Sequence, residues 1–518
     1  MDTKSGKSSL QVSRRQFLYQ AAVTVGGLVL SGCAPTKARP ETPTIQVTPT
    51  PVPSLEINVM WRGPTNPVNK EGDLYKVLVE RTGVAYDGFG LPPGPEYTQK
   101  VHAVMASGDL PHLMWINSRM PYFQYAEQGA FWELDEFLED KTALPHLTAY
   151  PSYNYDTLRV DGKVFAIPSV RIYRGFPVHI RSDWLDKLGL EMPTTIDEVW
   201  QVAEAFANQD PDGNGRKDTY GMMWWQNLEG LEQLRNGFGI VSSWEEDKPG
   251  HIIPAFITEK YKRMLEWLHD GIEAGIFDPD SVIMKRDEAE TMKGNAGKCG
   301  IFYTGSGGLT LNAIQMNIPS AQLMPMPPLL TPEGEYVYCI PYLYIGVWVV
   351  TKSVETKEDV MRILKFVDYG SSPEGADLLE YGVPGDYDVG PDGTKVLNDK
   401  GEADGAAALW LIPPPDKYLY ATVEQAAGHP ELAEAQRKLV DSVETVAFPD
   451  PILFTLPGPV ELEKGSDLER RKYEVFAKIL AGQLPISAFD DWVVEWRKNG
   501  GDQIIEERSN SYAERVKS

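Results

Sequence analysis

Apolar and polar positions from residue 55 onward switch repeatedly between two periods. Residues 55–61 (LEINVMW) begin with the i, i+2 alternation of a strand and run into a Gly-Pro loop. Residues 73–82 show helical spacing and close at Gly83. The same spacing predicts helices over 98–107, stopped by Gly108 and Pro111, and over 125–138, with an acidic outer face. Further helices are expected over 181–188 and 195–208. The latter is entered at Thr194 or Thr195 with Glu198 following, a capping-box pattern. Residues 257–274 form a long amphipathic repeat, and 359–369, 473–481, 488–499 and 501–513 read as helices. Apolar runs at 113–116, 163–168, 300–303 and 344–351 read as strands. Residues 389–397 read as a hairpin turning at Pro391-Asp392-Gly393-Thr394. Alternating strands and helices with no internal repeat predict an α/β architecture.

The first 54 residues break this pattern. Lys4, Lys7, Arg14 and Arg15 precede an apolar stretch from Ala21 to Leu30. Ten helical residues reach only about 15 Å, half a bilayer core, so this is the apolar region of an export signal. Ser13-Arg14-Arg15-Gln16-Phe17-Leu18 resembles a twin-arginine signal, and Leu30-Ser31-Gly32-Cys33 resembles a bacterial lipobox. Residues 1–32 are therefore expected to be removed, leaving Cys33 as the lipid-modified N-terminus. Residues 33–54 are rich in Pro and Thr and poor in core formers, which reads as an extended tether.

Composition narrows the function classes. Of 518 residues, 74 are acidic and 49 basic, a formal charge of −25. The expected signal carries four basic residues and one acidic one, so its removal takes the charge to −28. Such a chain lacks the basic surface that nucleic-acid binding or adhesion to anionic lipid requires. Three cysteines are too few for a disulfide scaffold or a multi-cysteine metal centre.

Four segments carry a family resemblance. Met105-Ala106-Ser107-Gly108-Asp109-Leu110-Pro111 and Tyr125-Ala126-Glu127-Gln128-Gly129-Ala130-Phe131 are two. Asp161-Gly162-Lys163-Val164-Phe165-Ala166-Ile167-Pro168 is the third, and the run from Arg181-Ser182-Asp183-Trp184 to Gly189-Leu190 with Pro193-Thr194-Thr195 is the fourth. In this order, together with the tail at 486–501, they resemble the extracellular solute-binding proteins of ABC importers. The likeness is to the LipO-like lipoproteins of the carbohydrate-type branch. It implies an α/β, two-lobed, periplasmic-binding-protein-like (Venus flytrap) fold with a hinge and an interlobe ligand cleft. By analogy the first lobe takes 55–168 plus 296–345, and the second takes 169–295 plus 346–518. The implied work is capture of a carbohydrate, an oligosaccharide, for the permease subunits of an importer. No catalysed reaction is implied, a monomer is the default expectation, and the lipid is expected to be the chain's only hold on the cell membrane.

A loop at 210–218 points to a structural Ca²⁺. Asp210, Asp212, Asn214, Arg216 and Asp218 fall at positions 1, 3, 5, 7 and 9 of an EF-hand-type loop, Arg216 through its backbone carbonyl, with Gly215 at the sharp turn. The bidentate Glu of position 12 is replaced by Gly221, and Thr219 stands where the resembling family often has an acidic ligand. The competing reading is a solvated Asp/Asn/Gly turn.

In two-lobed α/β proteins ligand lies beyond the carboxyl ends of strands. Sugars need aromatic rings for their C–H faces and fixed polar groups for their hydroxyls. Residues after predicted strands that meet this need are Trp61, Arg62, Asn117, Arg171, Tyr173, Trp225, Tyr303, Ser306, Tyr342 and Trp410. Arg62, Arg119, Arg171 and Arg174 would also suit an acidic sugar, since guanidinium forks match carboxylates. Against this, Trp and Tyr are heavily used in cores, and arginines in surface ion pairs.

Other chemistry finds no support. Gly294-Asn295-Ala296-Gly297-Lys298 is too short between glycines for a P-loop, and GxGxxG after a strand, HExxH and GxSxG do not occur. No redox or nucleotide cofactor is expected. Cys299 and Cys339 are either an exported disulfide or two buried thiols. Two other classes stay open: an exported carbohydrate-active enzyme using carboxylates the sequence does not single out, and a receptor for peptides or other small solutes.

Overall fold

The computed structural model describes 54–516, apart from 64, 66–67, 92–94, 118, 171–177, 341–343, 391–394, 408, 410–420, 422–423 and 426. The expected signal, Cys33 and nearly all of the tether lie outside these residues, as do Arg171, Tyr173, Arg174, Tyr342 and Trp410. Among the described residues no helix is long and apolar enough to cross a membrane.

The strands in chain order are β1 (Leu55–Arg62), β2 (Val84–Leu91), β3 (Leu113–Ile116), β4 (Ile167–Val170), β5 (Val178–Arg181), β6 (Tyr220–Met222), β7 (Trp244–Lys248) and β8 (His251–Pro254). They continue with β9 (Cys299–Tyr303), β10 (Leu323–Pro325), β11 (Tyr338–Ile340), β12 (Tyr344–Val350), β13 (Tyr387–Val389), β14 (Lys395–Leu397) and β15 (Ala447–Pro449). One sheet has the order β2-β1-β3-β12-β4, another the order β10-β5-β9-β6. Ribbons β11–β15, β13–β14 and β7–β8 are separate.

Each large sheet has its own core. Met60, Trp61, Met114, Trp115, Val347 and Val349 form one with Val360, Ile363 and Leu364 of the helix Lys357–Gly370. Ile180, Trp184, Phe206, Trp224, Phe277 and Ile301 form the other, sealed by Phe476, Trp492 and Trp496 of the C-terminal helices. Central strands such as β3 are buried along their whole length because elements cover both faces.

The expected α/β two-lobed fold is present, but the expected partition is corrected. β9 pairs with β5 and β6, so 299–303 belongs to the second sheet. β12 lies between β3 and β4, so 344–350 belongs to the first. The apolar runs were legible as strands, but a strand's sequence does not name its neighbour. Residues 125–138 also divide, into Arg119–Glu127 and Asp135–Leu138, because Gly129 at φ 75° breaks the helix. The helix Ile196–Asn208 has the capping box expected from Thr195 and Glu198.

The chain passes from the first core to the second between β4 and β5, returns between Leu329 and Val347, and crosses again after Leu409. The lobes also touch directly. Arg119 donates to the Leu453 carbonyl at 2.6 Å, and the Arg515 guanidinium lies 4.6 Å from the Phe123 ring centroid.

Candidate functional site

Strand register places the two carboxyl edges on the crossing side. In the first sheet, the ends of β1, β3 and β4 share an edge with the start of β12. In the second, Met222 of β6 pairs with Ile301 of β9, and Val178 of β5 pairs with Tyr303. Val170 leaves the first edge and Val178 arrives at the second. The seven residues between them reach at most about 28 Å.

On the first edge, Arg62 lies 5.7 Å from the Trp115 ring centroid. Asn117 donates from Nδ2 to Thr98 Oγ1 at 2.9 Å, which fixes its amide at the end of β3. Trp61 is corrected as a stacking surface: at 1% exposure its ring belongs to the core. Arg119 bridges to Leu453 and to the Thr157 carbonyl, a use between the lobes.

On the second edge, Trp225 and Tyr303 meet edge to face with centroids 5.2 Å apart. Trp225 is only 3% exposed, while Tyr303 and Ser306 are half-buried. Trp225 Nε1 donates to Glu229 at 3.0 Å. The intervening turn holds Asn227 at φ 67° and Leu228 at φ 62°, a left-handed pair costly for a leucine. Arg286 covers both rings, 5.5 Å from the Trp225 centroid and 5.7 Å from that of Tyr303. Such a cation contributes about 0.5–1 kcal/mol at an exposed position.

Ser306 caps the helix Gly307–Gln315 through the Leu309 amide. Its hydroxyl also donates to Glu424 at 3.2 Å. The same buried carboxylate accepts from the amides of Gly307, at 2.9 Å, and Gly308, at 2.5 Å. Burial pushes the Glu424 carboxyl up, while these donors draw it back. Glu229, Arg286 and Glu424 were not singled out in the sequence. Glu229 had a local signal, being close to Trp225. The others come from distant segments without one.

The loop at 210–218 gathers its oxygens around Asn214. The Asn214 side-chain amide donates to Asp212 at 2.7 Å and to Asp218 at 3.0 Å, and its backbone amide donates to Asp210 at 3.0 Å. These contacts tie Asp210, Asp212 and Asp218 together through Asn214, whose Oδ1 accepts from the Arg216 amide at 2.8 Å, the hydrogen bonding of an Asp/Asn/Gly turn. Position 12 is closed: a Cβ on Gly221 would lie 2.2 Å from the Ala203 carbonyl oxygen. Thr219 is turned inward, donating to the Phe206 carbonyl. Cys299 and Cys339 are free thiols in different sheets.

A cavity of about 550 Å³ lies elsewhere, lined by Ser242, Glu245, Lys260, Phe448, Phe454 and Tyr512 among others. It borders β15, and none of the ligand residues expected from the sequence lines it.

Residues 88–377 match the family model described as bacterial extracellular solute-binding protein. The chain is similar to lipoprotein LipO of Bacillus subtilis, 28% identical over 480 residues, covering 89% of this chain and 92% of that protein. It is also similar to the polygalacturonan/rhamnogalacturonan-binding protein YtcQ of the same organism, 27% identical over 431 residues, with 80% and 82% covered. In fold it is similar to the Streptococcus pneumoniae ABC-transporter substrate-binding protein FusA, solved as an EF-hand mutant with fructo-nystose. There the TM-score is 0.59 at 19% identity, with 90% of this chain and 99% of that one covered.

Proposed function

Because this chain belongs to the bacterial extracellular solute-binding protein family, we propose that it captures an oligosaccharide outside the cytoplasm and delivers it to an ABC importer. The observation that carries this reading is the pair of carboxyl edges on the crossing side. One bears Arg62 and Asn117, the other Tyr303 and Ser306 beside Trp225. The names of YtcQ and FusA support a carbohydrate ligand.

Hinge closure is the working event. A sugar held by one edge gains contacts from the other only when the lobes approach. Closure is therefore favoured by as much as the sugar binds the closed state better than the open one. Aromatic faces take the C–H surfaces, and Asn117 and Ser306 supply polar partners for hydroxyls. No covalent step is required, and ATP is spent by the importer.

Other parts of the reading rest on the sequence. Removal of 1–32 leaves a monomer tethered through 33–54 and held to the membrane by acyl chains on Cys33, which the lipoprotein LipO supports. Asp210, Asp212, Asn214, the Arg216 carbonyl and Asp218 hold Ca²⁺ as a staple, which the EF-hand named for FusA supports.

Thermal shift across neutral oligosaccharides, oligouronates and peptides tests the reading. Saturable stabilisation by a sugar that is recovered unchanged is expected. Stabilisation by peptides alone, or turnover of the sugar, would overturn it.

A further inference from the structure

We propose that Arg286 is a specificity gate: its guanidinium covers the Trp225–Tyr303 pair, leaves when a neutral sugar ring stacks there, and stays to pair with an acidic one. The inference deepens the carbohydrate reading and rests on it. Trp225 follows β6 on the cleft edge yet is 3% exposed. It shares a buried cluster with Met223, Ala289 and Phe302, and polar groups cover it as well. Arg286 lies over its ring at 5.5 Å and over Tyr303 at 5.7 Å. Glu229 holds the indole N–H. Gly230, at φ +91°, passes so close that a Cβ would lie 3.3 Å from the indole ring.

The cover is partly open to solvent. Arg286 is 46% exposed, stands on the short helix Arg286–Ala289, and pairs with Glu290 at 2.9 Å. A cation stacked at such a position is weakly held. Its guanidinium occupies the place a sugar's C–H face would take on the same rings. A neutral ring must displace it, whereas a uronate presents a carboxylate that the guanidinium fork can grip. The rings therefore supply surface for a neutral ligand and the guanidinium that covers them a grip for an acidic one, so Arg286 sets the preference between them.

The test uses the full chain labelled with 5-fluorotryptophan, with the Trp225 resonance assigned from Trp225→Phe. In ligand-free Arg286→Ala this resonance is expected to move. Titration calorimetry with a neutral fructo-oligosaccharide and an oligogalacturonate then reads selectivity. Arg286→Ala is expected to raise the neutral affinity by about two- to fivefold and to lower the acidic affinity by about fivefold or more, with Arg286→Lys between. An unmoved resonance, or sugar binding with an unchanged ratio of affinities, overturns the gate alone. If neither sugar binds the wild-type chain, the carbohydrate reading falls and the gate falls with it.

Discussion

The Lys298 ammonium lies 2.6 Å from the Asp218 carboxylate, tying the ninth position of the 210–218 loop to the residue before β9. The lysine holds the Asp218 carboxyl below its ordinary value, first through this hydrogen bond, with Asn214 assisting. It also competes with any cation that Asp218 would ligate. Lys298→Ala is therefore expected to tighten calcium binding, while Asp210→Ala and Asp212→Ala are expected to abolish it. In the wild type, calcium at a hundredfold excess over its Kd would stabilise the fold by about 2.7 kcal/mol, which chelation removes. Equal melting temperatures with and without chelator would rule the staple out.

The helix that leads into this loop begins with a reciprocal cap. Thr195 Oγ1 accepts from the Glu198 amide at 3.3 Å, and Glu198 Oε2 accepts from the Thr195 amide at 3.1 Å and the Thr194 amide at 2.8 Å. Thr195→Ala is expected to cost about 1 kcal/mol in urea unfolding. The same donors, Thr194 first, lower the Glu198 carboxyl from its ordinary 4.5. Its contribution is thus present above that value and lost as pH falls through the lower folded one. Glu198→Gln should flatten the acid limb of the stability curve.

Local features proved legible where the chemistry is local. Thr195 with Glu198 announced a cap, and Asp210 to Asp218 announced a turn dense in oxygen, because each needs only neighbouring residues. Strand ends were also legible, and Trp225, Tyr303 and Ser306 do stand on one edge. Burial was not: Trp61, near the end of β1, packs into the first core, and Trp225, just past β6, is buried in a smaller cluster with Phe302. The lobe partition failed for the same reason, since Ile301 and Phe302 announce a strand without saying that Ile180 and His179 are their partners. Arg286 over Trp225, and Glu424 on Gly307 and Gly308, are products of tertiary folding that carry no local signature.

Export makes a prediction independent of the folded body. The largely apolar stretch Ala21–Leu30 is ten residues long and ends on the lipobox-like Leu30-Ser31-Gly32-Cys33, too short for a membrane span. Cys33→Ala is expected to block lipid attachment and shift the protein out of the fraction held by acyl chains. Labelling cells with radioactive palmitate and fractionating them reads both effects. Unchanged labelling in Cys33→Ala would remove the anchor from Cys33.

Glu424 offers the sharpest stability test because one carboxylate serves three donors. Glu424→Ala leaves the buried amides of Gly307 and Gly308 without their acceptor, at about 1–3 kcal/mol for each. Glu424→Gln keeps one acceptor oxygen and should lose less. The pH dependence has the opposite sign to that of Glu198. Burial is the largest influence and raises the Glu424 carboxyl above 4.5, against the pull of Gly308, Gly307 and Ser306. The facing His429, hydrogen-bonded to Asn312 at 2.9 Å and 3.3 Å from Glu431, draws the carboxyl down as well. A raised folded value means the folded state binds more protons than the unfolded chain just above pH 4.5. Stability from this group is therefore full below that value and falls as pH rises through the folded one. Urea midpoints across pH 4–7 should show this decline in the wild type and its absence in Glu424→Gln. An identical slope in both proteins would assign the decline to other groups.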